Sequence, residues 1–403
     1  MEILSGLAQG FSIALAPLNL LWCFIGVFFG TIVGILPGLG PSATVALLLP
    51  LTFSMDPTGG LIMLAGIYYG AKYGGSTTAI LLNVPGESAS VVTCLDGFEM
   101  ARKGRAGPAL GIAAISSFVA GTVGIVLLML VAPPIAEFAL RFGPPEYFAL
   151  MALGLSMVVL LAGKSLIKAL LAMLVGLWLA TIGIDLFTDG ARYTFEHIEL
   201  MDGVNFVVVA IGTFAIGEVL ANLSSSSSGK MFPVPKGLRN LLPNWQDIKD
   251  CRFAFLNGSI VGFFVGVLPG AGSTIASFVS YGLEKAVSRR REQFGTGVPE
   301  GVAAPEGANN SETGGALVPL LTLGIPGSAT TAILLAALIL WGLRPGPLLI
   351  QDNPQMFWGL VASMYIGNIM LLILNLPLVP VFAQILRLPG YVLYPIILGV
   401  SIV

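Results

Sequence analysis

Long runs of apolar positions alternate along the chain with short breaks made of Pro, Gly and small polar residues. The runs fall at about 18–36, 41–53, 58–73, 75–97, 107–132, 145–163, 165–184 and 204–222, and again at 253–268, 271–287, 312–343, 355–386 and 391–403. A membrane-crossing helix needs about 20 apolar residues, so this pattern predicts an α-helical protein of many spans, several of them broken into half-crossings. Between the two groups lies the one long polar stretch, LSSSSSGKMFPVPKGLRNLLPNWQDIKDCR at 223–252, whose Ser run and prolines read as a linker.

Composition strengthens the membrane reading. Of 403 residues, 56% are apolar and only 10% charged, where a soluble domain carries about 25% charged residues. Ordinary cytosolic enzymes are excluded on that count. Nucleic-acid binders are too, because 19 Lys+Arg against 21 Asp+Glu leave no basic field for phosphate. The 51 glycines and 26 prolines exceed what uninterrupted helices need. Irregular backbone is tolerated at membrane depth only where it is buried in protein or lines a wet cavity, so the breaks imply a pathway or binding site. Cys23, Cys94 and Cys251 lack metal-type spacing and the single His197 has no partner motif, so no cofactor and no disulfide is expected. The N-terminus lacks the basic region of a cleaved signal and reads as a first span.

The two sides of the linker repeat one another. Gly34-Ile-Leu-Pro-Gly-Leu-Gly40 matches Gly266-Val-Leu-Pro-Gly-Ala-Gly272 at an offset of 232; Gly74-Gly75 matches Gly314-Gly315 at 240; Val84-Pro85-Gly86 matches Ile325-Pro326-Gly327 at 241; and Gly121, Pro134 and Arg141 match Gly367, Pro380 and Arg387 at 246. Matches in the same order at slowly drifting offsets indicate a duplicated unit. Charge then assigns sides: Arg102, Lys103 and Arg105, then Lys164 and Lys168, then Lys230, Lys236, Arg239, Lys249 and Arg252 mark cytoplasmic loops, and the acidic stretch 185–202 faces outward. Asp56 follows the first break while Lys285, Arg289, Arg290 and Arg291 occupy the matching place in the second, so equivalent positions lie on opposite faces. The expected architecture is an all-α polytopic membrane protein of two inverted-topology repeats, 1–222 and 253–403, joined by a cytoplasmic linker at 223–252. Val403 aligns near residue 157, which predicts a second repeat that is cut short.

Candidate chemistry sits at the breaks. After Pro37, Gly38, Gly40 and Pro41, and again after Pro269, Gly270 and Gly272, a half-helix begins with free N–H groups and its positive dipole end, with Ser42 and Thr44 or Ser273 and Thr274 in its first turn. Such ends suit an anion; the alternative is that these glycines only permit close helix packing. The second pair of breaks reads as two re-entrant hairpins with tips at Pro85-Gly86 and Pro326-Gly327. They offer Ser76, Thr77, Asn83, Ser88, Thr322, Ser328 and Thr330 to a carboxylate. The alternative is two kinked full spans with incidental Ser/Thr back-bonding. Pro299 to Glu312 carries Glu300, Glu306 and Glu312 with Asn309 and Asn310. These are hard oxygen ligands for sodium or a proton, or otherwise part of a solvated loop. Lys72 either pairs with a substrate carboxylate or snorkels.

The stretches LPGLGPSAT at 36–44, YYGAKYGGSTTAILLNVPGESASVVTCLDGFEMARKG at 68–104, PEGVAAPEGANNSETGGALVPLLTLGIPGSATTAILL at 299–335 and the Arg344–Pro347 segment resemble the TctA family, the large membrane subunit of the tripartite tricarboxylate transporters. The resemblance implies a bacterial inner-membrane permease that works with a small membrane subunit and a periplasmic solute-binding protein and imports a di- or tricarboxylate on a cation gradient. Its members are usually longer at the C-terminus. The expected substrate site comprises Gly38, Gly40, Ser42, Ser76, Thr77, Asn83, Pro85, Gly86, Ser88, Gly270, Gly272, Ser273, Thr322, Pro326, Gly327, Ser328 and Thr330, and the cation site Glu306, Asn309 and Asn310. A membrane-embedded enzyme, with Glu300, Glu306 and Glu312 as its sole candidate cluster, and a passive anion channel are the competing classes.

Overall fold

Helix starts and stops follow local chemistry. Pro17, Pro41, Pro57 and Pro354 each occupy the first turn of a helix, where a missing N–H removes no bond. Asp56 caps its helix by accepting from Thr58 N and Gly59 N. A computed structural model describes residues 2–36, 40–156, 165–184 and 237–384, with 190–195, 197–201, 203–204, 208–209, 211–217, 220 and 232. Its longer helices are α1 (Glu2–Ala14), α2 (Pro17–Ile35), α3 (Pro41–Leu48), α4 (Pro57–Leu82), α5 (Ala106–Ala139), α6 (Pro144–Ser156), α7 (Leu166–Leu179), α8 (Trp245–Val267), α9 (Gly272–Val287), α10 (Glu300–Leu323), α11 (Ala329–Leu340) and α12 (Pro354–Asn375). Among the described residues the only sheet is a two-residue hairpin, β1 (Gly183–Ile184) with β2 (Ala191–Arg192).

Four of these helices, α2, α5, α8 and α12, are long and apolar enough to cross a membrane. They expose Phe24, Leu130, Phe264 and Ile369, large side chains that water would disfavour and lipid tails accept. The most buried helices are α4 and α10, which are poorer in apolar residues: every residue of 59–81 and of 300–322 is buried. Each is enclosed by the glycine-bearing helix of its own half and a long span of the other half, α4 by α2 and α12, α10 by α8 and α5.

Glycine spacing sets how closely these helices meet. On α2, a Cβ added at Gly26, Gly30 or Gly34 would lie 2.3, 2.5 or 2.2 Å from the carbonyl oxygens of Met63, Ile67 and Ala71. On α8, Gly258, Gly262 and Gly266 meet the carbonyl oxygens of Ala304, Ala308 and Glu312 at 2.8, 2.4 and 2.5 Å. The two sets correspond residue for residue, at offsets of 232 for the glycines and 241 for their partners. Small residues four apart let two backbones touch and gain dispersion energy where no hydrophobic force acts between helices in lipid. The packing contacts thus follow the sequence match. They also revise one match: Gly74 and Gly315, 241 apart, both press on the partner glycine helix, at Thr31 O and Phe263 O. Gly314 instead abuts Gly124 of α5.

Three sequence expectations change. The apolar runs 58–73 and 75–97 do not separate at Gly74-Gly75, because these glycines permit close packing and α4 passes through them unbroken. Of the two readings of Pro299–Glu312 the solvated loop falls, because the stretch forms the buried first half of α10 despite its prolines and glycines. Burial overrides weak propensity there, and hydroxyls of Ser116, Ser280 and Ser277 dock on the carbonyls of Ala303, Ala304 and Pro305 at 2.5, 2.9 and 3.1 Å. Finally, α8 begins at Trp245, capped reciprocally by Asn244 and Asp247, ahead of the apolar run at 253.

Candidate functional site: a buried charge cluster between the two halves

Both expected breaks exist where they can be seen. Pro37 and Gly38 lie outside the described residues. Gly40, in extended conformation, precedes α3, which places half-buried Ser42 in its first turn, and Thr44 Oγ1 donates to the Gly40 carbonyl at 2.9 Å. In the second half Gly270 and Gly272 take φ of +79° and +64°, a region open to glycine at little cost, and α9 starts there with Ser273 half-buried. The tips sit on these breaks in matched fashion. A Cβ at Gly86 would meet Gly34 O at 2.5 Å and one at Gly327 would meet Gly266 O at 2.9 Å. Gly270 N donates to Gly327 O at 3.0 Å. Across the halves, Ser88 of the first tip hydrogen-bonds Thr274 of α9 at 2.8 Å, and α3 packs on α11 behind the second tip.

Between α4 and α10 lies a cluster of charges that the tips close over. Lys72 and Glu312 are both fully buried and form an ion pair, and Lys72 Nζ also donates to the Asn309 carbonyl at 2.7 Å. One turn before Lys72, the Tyr68 hydroxyl donates to Glu312 Oε2 at 3.1 Å and lies 3.2 Å from Ser328 Oγ, while its ring centroid is 4.7 Å from Lys72 Nζ. Asn309 Nδ2 donates to Glu87 Oε1 at 2.5 Å, which ties the first tip to α10. Glu306 accepts from the Thr93 hydroxyl, with the Ser76 hydroxyl also against it. Buried Glu312 pairs with the Lys72 ammonium and Glu87 feels it, while buried Glu306 lies beside Glu87, so three carboxylates accompany a single buried cation among the described residues.

The cluster is rich in unmet acceptors. Glu306 Oε2, Asn309 Oδ1, Asn310 Oδ1, Glu312 Oε1 and Thr313 Oγ1, all buried on α10, have no hydrogen-bond partner. Native proteins leave few such atoms, because each forgoes about 1–3 kcal/mol. They are carboxylate, amide and hydroxyl oxygens, Glu312 facing α4 and Asn310 facing α5, of the hard kind that takes a proton or a hard cation rather than zinc. Among the described residues no three His, Cys, Asp or Glu side chains gather as a metal site.

The remaining predicted positions sort by what their side chains touch. Glu306, Asn309, Ser76 and Ser328 contribute to the cluster, and Asn310 Nδ2 reaches Ser117 of α5 at 2.7 Å. Ser328 also caps α11 reciprocally with Thr331. Thr77 and Thr330 are buried, Asn83 ends α4 with φ of +59°, Pro85 and Pro326 are half-buried and Ser88 is exposed. Thr322 spends its hydroxyl on the Val318 carbonyl, a back-bond within α10. Of the three acids grouped as an enzyme candidate, Glu300 pairs with Arg290 at 2.7 Å instead of joining Glu306 and Glu312. Lys72 neither snorkels nor faces outward. Glu87, Tyr68 and Thr93 were missed as a group, since only the folded chain brings them together. Their one signal was polarity inside apolar runs.

A chain of broken, glycine-packed membrane helices around a buried charge cluster has the form of a carrier, and sequence comparison decides which. The profile of the tripartite tricarboxylate transporter TctA family matches residues 20–403. The chain belongs to that family. As a TctA protein it is the large membrane subunit of a tripartite transporter and operates with other subunits. This TctA chain is 50% identical over 400 residues to an uncharacterized 52.8 kDa protein in the TAR-I ttuC' 3'region of Agrobacterium vitis, covering 98% of the chain and 79% of that relative. It is 48% identical over 136 residues to an uncharacterized protein in the TAR-II ttuC' 3'region of the same organism, covering 34% of the chain and 56% of that relative. No solved structure matches it.

Proposed function

We propose that this TctA protein is a cation-coupled carrier that imports a di- or tricarboxylate of the citrate class across the bacterial inner membrane. It receives the substrate from a periplasmic binding protein and acts beside a small membrane subunit. The observation that carries the reading is the α4–α10 cluster, in which buried Glu87, Glu306 and Glu312 accompany the single ammonium of Lys72 and buried oxygens of Glu306, Asn309 and Glu312 lack donors. A buried site with surplus negative charge gains from taking up a cation or proton, and only then is an anionic substrate tolerated beside it. Glu306, Asn309 and Asn310, joined by Glu312 and Thr313, hold the coupling cation. The substrate carboxylates lie against the starts of α3 and α9 and the tips at Pro85-Gly86 and Pro326-Gly327, where helix N-termini and small hydroxyls favour an anion. The chain divides as 1–222, linker 223–252 and 253–403, the two halves being inverted repeats whose tips act as re-entrant hairpins. Alternating access then moves the tip-bearing units against the spans.

The test uses proteoliposomes holding the complete three-part transporter, with labelled citrate as probe and imposed sodium or proton gradients. Uptake is expected to follow one gradient and to stop when both are collapsed. Asn309→Ala should raise the cation concentration for half-maximal uptake by about ten-fold or more, the value of one lost ligand to a charged group, with a smaller change in the citrate KM. Unchanged uptake without either gradient would overturn the coupling. Unchanged cation activation in Asn309→Ala and in Asn310→Ala would overturn the site.

A further inference from the structure

A second site lies on the outer face of the second half, between α8 and α9. The two helices run back to back from the break at 268–271: Asn257 Nδ2 of α8 donates to the Ser280 carbonyl and to Glu284 Oε2 of α9 at 3.0 and 2.9 Å. Their open ends carry Lys249 and Arg252 on one side and Arg289 and Arg290 on the other, and between them is a groove of about 1020 Å³. Phe253, Leu256, Ile260, Leu283 and Val287 wall it and are all exposed.

The charges at the mouth are unequally engaged. Arg290 holds Asp250 and Glu300, each at 2.7 Å, and Glu284 is held by Asn257. Among the described residues no carboxylate pairs with Lys249, Arg252 or Arg289, and Arg252 rests 4.7 Å from the Phe253 ring. The groove is therefore apolar along its length and cationic at one end. A small free anion would use the cations and leave the apolar walls bare. A purely apolar helix would cover the walls and leave three charges unmatched at its rim.

We propose that this groove binds an anionic phospholipid, its acyl chains along Phe253, Leu256 and Ile260 and its phosphate among Lys249, Arg252 and Arg289. Basic pockets between membrane helices recognise acidic headgroups by this combination of charge and apolar depth. The proposal needs only that α8 and α9 lie in a bilayer, and it is independent of the substrate and the coupling ion.

The test is lipid retention by the purified full chain, read by native mass spectrometry after exchange into micelles containing equal phosphatidylglycerol and phosphatidylcholine. Phosphatidylglycerol should be retained preferentially. Replacing Lys249, Arg252 and Arg289 by Gln should lower its retention by about five-fold per cation removed, while Ile260→Trp, which fills the groove, should lower retention of both lipids. Millimolar inorganic phosphate should not compete. Size-exclusion profile and helix content establish that each variant is folded. Equal retention of the two lipids, no loss in both variants, or displacement by phosphate alone would overturn the proposal. So would a co-expressed small membrane subunit that crosslinks to Leu256 and leaves lipid retention at zero.

Discussion

Lys72 offers the sharpest test of how the protein is held together. In Lys72→Met, Glu312 loses its ion-pair partner at a site with no solvent exposure, and Glu87 loses a nearby positive charge. Two unit charges about 4 Å apart at an effective dielectric of 20 attract by about 4 kcal/mol, and removing one partner of a buried pair costs about 3–5 kcal/mol. The cation–π contact with Tyr68 and the bond to the Asn309 carbonyl are lost as well. Glu312→Gln should destabilise less, because Tyr68 can still donate to the amide oxygen. The double variant should be better than the sum of the singles by about 1–3 kcal/mol, since neither charge is then stranded. Denaturant unfolding in mixed micelles measures the cycle. Thr322→Val serves as a control, its hydroxyl being engaged only with Val318. Additivity within about 0.5 kcal/mol would refute the claim that the pair is one electrostatic unit.

Three further outcomes follow from close contacts. Gly262→Leu should impair folding more than Gly282→Leu, because a Cβ at Gly262 lies 2.4 Å from the Ala308 carbonyl and one at Gly282 meets nothing within 4 Å. Overpacking of this kind costs about 1–3 kcal/mol or more, visible as loss of monodisperse protein. Gly86→Ala should reduce transport by lifting the first tip off Gly34, whereas Gly176→Ala on α7, whose Cβ has open space, should be tolerated; equal effects in uptake assays would contradict the seating of the tip. Asp96 accepts from Gly295, Gly297 and Val298 N–H groups at 2.7–3.0 Å and from the Tyr281 hydroxyl at 2.9 Å. Asp96→Asn should therefore loosen the 288–299 loop and raise its cleavage by a limited dose of protease.

Much was legible in one dimension because membrane helices announce themselves by composition and length. The apolar runs that fold as α2, α5, α8 and α12 and the break at Pro269-Gly270 are local signals, set by the steric rules of Pro and Gly and by what lipid excludes. At two places the chain's punctuation gives way to packing for one shared reason. At Gly74-Gly75 and along Pro299–Glu312 the sequence reads as helix-breaking, yet α4 and α10 run through, since close packing by α2, α8, α5 and α12 outweighs propensity there.

What one-dimensional pattern could not supply was partnership. Lys72 and Glu312 are 240 residues apart, Asn309 and Glu87 are 222 apart, and Ser88 and Thr274 are 186 apart. Hydropathy marks each as an expensive residue in an apolar run but carries no information on which charge meets which. That depends on how α4 and α10 come to face each other once the glycine-packed pairs α2–α4 and α8–α10 meet across α5 and α12. The residue types that make a membrane carrier are thus written in order along the chain. The electrostatic balance of its centre exists only once α4 and α10, each held by its own glycine-bearing helix, have been brought side by side.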